Sequence, residues 1–178
     1  MPSRNLAIAI MGVSTAAFLT VDFLRLRINP VKSIFIILFG SLLRRREFTS
    51  LTGGSYLMLA SFVCLLIFGS SPSGRGVFVA AVSFLVLGDT VAAIVGLSVG
   101  RIQFFRKTLE GTLAGLATCI GVAWVVSVLP RLDLPLGIGI LGAVAASIVE
   151  ALPIEVNDNV VVPLLSGAVM MVGLQVVR

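Results

Sequence analysis

Apolar residues run through this chain in long blocks separated by short polar and turn-forming segments, without the alternation of a half-buried strand, and that pattern predicts membrane-spanning helices. A span takes about 20 mostly apolar residues. Six blocks approach that length: Leu6 to Phe23, Thr52 to Gly69, Val77 to Val99, Thr108 to Leu129, Leu136 to Leu152 and Val160 to Val177. The breaks carry turn chemistry at Asn29-Pro30, Gly53-Gly54, Ser70-Ser71-Pro72-Ser73-Gly74, Pro130 with Pro135, and Pro153. These connections are short, so any chemistry falls to helix ends and the loops joining them. The apolar segment Val31 to Leu43 is too short to cross and is bracketed by Arg25, Arg27 and Lys32 before and Arg44-Arg45-Arg46 after, which predicts an interfacial helix, with a buried half-helix as the alternative.

Composition agrees with the pattern. Of 178 residues, 58% are hydrophobic and 12% charged, with a mean hydropathy of +1.13. The expected fold is all-α, a polytopic integral membrane helix bundle of about six transmembrane helices plus a short interfacial amphipathic helix, forming a single membrane-embedded domain over residues 1–178.

The net charge of +5 and pI near 10.2 do not point to nucleic acid, because the bases sit in loops beside spans without aromatic interleaving. Counted on alternate sides, the loops 24–51, 100–107 and 153–159 hold 9 of the 13 Lys and Arg. The positive-inside rule makes that side cytoplasmic and places a site built from those loops at the cytoplasmic face of the cell's inner membrane. The first block has no cleavable signal character and is expected to stay in the membrane; a helix upstream of it would return the amino terminus to the cytoplasm.

Histidine is absent, which excludes a Ser-His-Asp triad, a histidine metal site and a histidine proton relay. Cys64 and Cys119 lie deep in different apolar blocks and read as small hydrophobes. Gly88, Ala92, Gly96 and Gly100 recur at four-residue intervals, and Gly111 with Gly115 repeats the spacing in the next block. Such stripes let helix backbones approach closely. A tight pair here holds Asp89 near Lys107.

Charge inside apolar blocks is costly, about 2.5 to 3.5 kcal/mol at the centre of a span, so acids and bases there usually serve a site. Asp89 needs a partner, either a base from the following loop or a divalent cation. Arg106-Lys107-Thr108-Leu109-Glu110-Gly111-Thr112 opens the fourth block, where the helix dipole, free amides, a cation and hydroxyls together suit phosphate. The competing account is an N-cap with a first-turn acid and two topology-setting bases. Glu150, Asp158 and Asn159 are expected on the same side, so that carboxylates and a basic clamp converge; Glu150 has the alternative of anchoring Arg101 or Arg106. Hard oxygen ligands with a polyphosphate suit Mg²⁺.

These residues resemble the CTP-dependent membrane lipid-alcohol kinases, a family that includes dolichol kinase, phytol kinase and the yeast-type diacylglycerol kinase. The resemblance is carried, in order, by Gly88-Asp89 with Ala92, Gly96 and Gly100, by Lys107 to Thr112, and by Glu150-Ala151 leading to Asp158-Asn159 and Pro163-Leu164. It covers about the last half of the chain; Asp22-Phe23-Leu24-Arg25 and Thr52-Gly53-Gly54 extend it more weakly toward small prokaryotic members. One departure is the lack of the basic, histidine-containing upstream segment common in that family.

The resemblance implies transfer of the γ-phosphate of CTP to the hydroxyl of a membrane lipid alcohol: a polyprenol, phytol or geranylgeraniol, or diacylglycerol. It implies catalytic roles for Asp89, Lys107, Glu110 and Asp158, nucleotide binding by Arg106, Lys107, Thr108, Gly111, Thr112 and Asn159, and Mg²⁺ held by Asp89, Glu110 and Asp158. Two other readings stand beside it. A CTP:lipid-phosphate cytidylyltransferase shares the acid, the spaced glycines and a similar lysine-threonine run, but its histidine-containing downstream motif has no counterpart here. A small membrane transporter predicts acids spread across the membrane depth rather than gathered toward one face.

Overall fold

The computed structural model describes residues 4–43, 45–105, 107–153 and 156–177. Eight α-helices account for most of them: α1 (Arg4–Arg27), α2 (Asn29–Phe39), α3 (Gly53–Phe68), α4 (Pro72–Ser83), α5 (Asp89–Val99), α6 (Leu109–Val128), α7 (Leu136–Ala151) and α8 (Asp158–Val177). A π-helical turn, Phe84–Gly88, makes α4 and α5 one continuous rod, and two short strands, β1 (Gln103–Phe104) and β2 (Lys107–Thr108), form a hairpin before α6.

All six apolar blocks are helical. Among the described residues four helices are long and apolar enough to cross a membrane: Arg4–Arg27, Pro72–Val99, Leu109–Val128 and Asp158–Val177. The other two, α3 and α7, have 16 residues each. At about 1.5 Å per residue they fall short of a hydrocarbon layer about 30 Å thick unless their flanking residues complete the crossing.

The chain divides into two compact units, Met1–Phe62 and Val63–Arg178. In the first unit, α2 begins at Asn29-Pro30, where proline is tolerated because the first helical amides have no intrahelical partner. None of its residues is buried, and Ile34, Ile37 and Leu38 are 59%, 82% and 64% exposed. The expected short helix therefore forms with Ile34, Ile37 and Leu38 uncovered and Val31, Phe35 and Ile36 half-buried, and the buried half-helix is not what is observed.

In the second unit, Ser71 caps α4 by accepting from the Gly74 amide at 3.0 Å. Phe84, Val77, Val162, Met170, Cys64 and Cys119 are among its enclosed side chains. Both cysteines are free, as small core hydrophobes. The small-residue stripe packs as expected: a Cβ at Gly111 would lie 2.6 Å from the Ala92 carbonyl oxygen, and one at Gly96 2.9 Å from Thr108 Oγ1. Glycine at these positions lets α5 and α6 touch backbone to backbone, and the contact positions the site.

Candidate functional site

Asp89 is the first residue of α5, immediately after the π-helical turn. Such turns interrupt the regular ladder and are frequent at functional sites. Eighteen residues on, the hairpin pairs Gln103 with Thr108 and Phe104 with Lys107. Its turn residue Phe105 has φ 52°, a left-handed conformation that costs a non-glycine residue roughly 1–2 kcal/mol. The Leu109 amide closes the hairpin on the Ile102 carbonyl at 2.9 Å.

The hairpin delivers Lys107. Its Nζ donates to Asp89 Oδ1 at 2.8 Å and also to Glu150 Oε1, so residues from α5, β2 and α7 meet at one nitrogen. The side chains of Lys107 and Asp89 are 24% and 34% exposed, and that of Glu150 only 7%. The cluster thus has an open side and a buried floor. Burial alone pulls the Lys107 ammonium down, but the hydrogen bonds and charges of Asp89 and Glu150 outweigh it and hold its pKa above the ordinary value of 10.5.

Several expected details change. Lys107 lies outside the helix, in β2, and α6 starts at Leu109 with Thr108 as its N-cap. Thr108 Oγ1 accepts from the Gly111 amide at 3.2 Å, so part of the expected phosphate cradle is spent on capping. The close approach at Gly111 is made by α5. Thr112 Oγ1 is enclosed without a hydrogen-bond partner among the described residues. Glu110 turns to the preceding loop, where both its oxygens accept from the Ile102 amide at 3.3 Å. Glu150 pairs with Lys107, and among the described residues no ion pair joins it to Arg101.

Asp158 and Asn159 occupy the first turn of α8, where the Asn159 amide donates to Asn157 Oδ1 at 3.0 Å. Among the described residues no three acidic, cysteine or histidine side chains form a group able to hold a metal ion, so Asp89, Glu110 and Asp158 are not a preassembled three-carboxylate set. The pair fit for a hard cation is Asp89 with Glu150, whose oxygens already converge on one positive charge. Arg106, expected on the nucleotide, lies outside the described residues.

The first unit holds a second polar cluster that the sequence pattern shows only faintly. Arg25 and Asp22 are paired and almost fully buried at the end of α1. Arg25 donates to the carbonyls of Glu47 and Ser50, each at 2.8 Å. Asp22 Oδ2 accepts from the Thr52 amide at 2.7 Å, Thr52 Oγ1 at 3.0 Å and Ser55 Oγ at 2.7 Å, while Glu47 Oε1 accepts from the Gly53 amide at 2.6 Å. Two carboxylates therefore satisfy the amino end of α3. The available signal is the spacing of an acid and a base at i and i+3 near the end of an apolar block, followed by a Thr-Gly-Gly-Ser helix start.

Comparison of the chain with models of known protein families, with curated proteins and with solved structures gives no match.

Proposed function

We propose that this protein is a membrane lipid-alcohol kinase that transfers the γ-phosphate of CTP to the hydroxyl of a polyprenol, phytol, geranylgeraniol or diacylglycerol at the cytoplasmic face of the inner membrane. The observation that carries the reading is the meeting of Asp89, Lys107 and Glu150 at one half-open point beside the amino end of α6. Phosphoryl transfer asks mainly for positioning and charge neutralisation. Lys107 supplies a flexible cation at the polar mouth of an otherwise apolar helix bundle. An alcohol whose tail lies among lipid chains presents only its hydroxyl there.

The reaction forms a bond from the alcohol oxygen to the γ-phosphorus and breaks the bond from that phosphorus to the β–γ bridging oxygen, so CDP leaves. Lys107 orients the phosphates, and Thr112 offers an uncommitted hydroxyl one turn into α6. Asp158, in the first turn of α8, is assigned the alcohol proton. Asp89 and Glu150 are the carboxylates suited to hold Mg²⁺, which when bound supplies further neutralisation of phosphate charge. CTP rather than ATP, and the lipid class, rest on the resemblance of the sequence marks to the lipid-alcohol kinases.

The deciding assay incubates purified protein with γ-labelled CTP and each lipid alcohol, and identifies the lipid product by mass. A lipid monophosphate with release of CDP supports the proposal. Equal use of ATP removes the nucleotide preference while sparing the kinase. Transfer of a whole cytidylyl group to a lipid phosphate removes the kinase, and ion flux without nucleotide consumption favours a transporter.

A further inference from the structure

We propose that Lys107 is a resident cation in a divalent-cation site: its ammonium holds Asp89 and Glu150 together before nucleotide arrives, and Mg²⁺, which binds there with or without nucleotide, takes its place and frees Lys107 for the phosphates. The inference deepens the kinase reading and rests on it for the phosphates, but the exchange of cations is a property of the three side chains themselves.

The geometry supports an exchange. One nitrogen bonds both carboxylates, so a cation at that point is within reach of an oxygen from each. Two carboxylates, completed by substrate oxygens and water, are a usual Mg²⁺ environment. Charge favours the divalent ion as well, since one ammonium leaves two carboxylates under-compensated and Glu150 is shielded from water. When Mg²⁺ neutralises the pair, the displaced ammonium meets phosphate instead of empty solvent.

A separate observation points to a ligand. Ser147 lies one helical turn before Glu150 on the same face of α7 and is 6% exposed. Its Oγ is enclosed without a conventional hydrogen bond among the described residues, beside the weakly polar Cys119 thiol. The Cys119 thiol, a weak partner, is thus all that engages this oxygen one turn from Glu150, where a hydrated cation brings stronger donors. Access is from the other side, where Asp89 and Lys107 are partly exposed. Because Lys107 stands in the hairpin and carries a flexible four-carbon stem, it can swing without moving α5, α6 or α7.

The test uses the purified full chain without nucleotide and Mn²⁺ as the probe, followed by electron paramagnetic resonance. Lys107→Met should bind Mn²⁺ at least about tenfold more tightly than wild type, because the competing cation is gone and the carboxylates remain. Adding Glu150→Gln to that variant should abolish the gain. In wild type, Mg²⁺ should raise acylation of Lys107 by an amine-specific reagent, read by peptide mass, while matched ionic strength from Na⁺ should not. Unchanged Mn²⁺ affinity in a folded Lys107→Met protein overturns the exchange. If that variant does not fold, Lys107 acylation indifferent to Mg²⁺ in wild type overturns it equally. Neither result touches the kinase reading, which the lipid product decides.

Discussion

Lys107 Nζ and Asp89 Oδ1 are 2.8 Å apart, although Asp89 opens α5 and Lys107 stands in the second strand of the hairpin beyond that helix. The distance is held by glycine: α5 and α6 touch along Gly96 and Gly111, and the hairpin between them returns the lysine to the acid. Removing the ammonium therefore removes the cationic half of the site while leaving the helix contacts in place. On the proposed kinase reading, Lys107→Ala should lower phosphate transfer by about 10²- to 10³-fold, the usual effect of deleting one electrostatic contact to a transition state. Membrane insertion should be unchanged. Labelled-CTP turnover alongside membrane fractionation measures both, and near-normal turnover would take the clamp out of the mechanism.

The glycine contact makes a separate prediction. A methyl at Gly111 meets the Ala92 carbonyl at 2.6 Å, a backbone atom that cannot rotate away, whereas a methyl at Gly121 on the same helix would have nothing within 4 Å. Gly111→Ala should destabilise by about 1–3 kcal/mol through overpacking. Gly121→Ala should be neutral or stabilising by up to about 1 kcal/mol, from helix propensity alone. Unfolding of both variants in the same detergent tests the pair, and equal behaviour would mean that the α5–α6 contact is not tight.

The Asp22–Arg25 pair of the first unit should be unforgiving of single changes. Each partner is almost fully buried, and Arg25 also holds two backbone carbonyls. Asp22→Ala leaves a buried guanidinium without its carboxylate and strips three donors around the α3 amino end of their acceptor. A loss of about 3–5 kcal/mol is expected, as for other broken buried ion pairs. Denaturant unfolding of wild type and variant reads it, and a loss below about 1 kcal/mol would place the pair with weak surface bridges.

Much of this architecture is legible in the sequence because membrane helices announce themselves by length and apolarity, and the six blocks are all helical. The helix stripe Gly88 to Gly100 also foretells which helices pack closely, since only small residues permit that contact. The site is partly legible. Asp89 and Lys107 are expected together, but the partner of Glu150 is not, because one acid in α7 has no local signal for which base it meets. The hairpin escapes sequence reading for a related reason: Arg106-Lys107-Thr108 reads as a helix start, and the strained Phe105 turn that pulls Lys107 out of the helix has no glycine or asparagine to mark it. Glu110 looks like part of a metal set, yet an acid two residues after an N-cap also suits a nearby loop amide.

Alkaline pH gives a test of the Lys107 contacts. Its pKa is raised in the folded protein, so its stabilising contribution is complete below the ordinary value of 10.5 and is lost only as pH rises through the higher folded value. The stability difference between wild type and Lys107→Met should stay level between about pH 7 and pH 10, then shrink at more alkaline pH. Unfolding of the two proteins across that range measures it; a difference that already falls near neutrality would mean that the carboxylates do not hold the ammonium.

The orientation of the site is testable by thiol labelling. The charge-rich loops predict that the hairpin faces the cytoplasm, on the side of the proposed donor CTP, and that the connection before α4 faces outward. The native background is quiet, because Cys64 and Cys119 are 0% and 1% exposed. Gln103→Cys, in the exposed first strand of the hairpin, should be protected from an impermeant thiol reagent in intact cells and react once the membrane is opened. Ser73→Cys should react in intact cells. Because one continuous helical rod and one short loop separate these positions, the labels must fall on opposite sides if that rod crosses the membrane. Reaction of Gln103→Cys in intact cells, with Ser73→Cys protected, would put the ammonium and its two carboxylates outside and remove CTP as the donor.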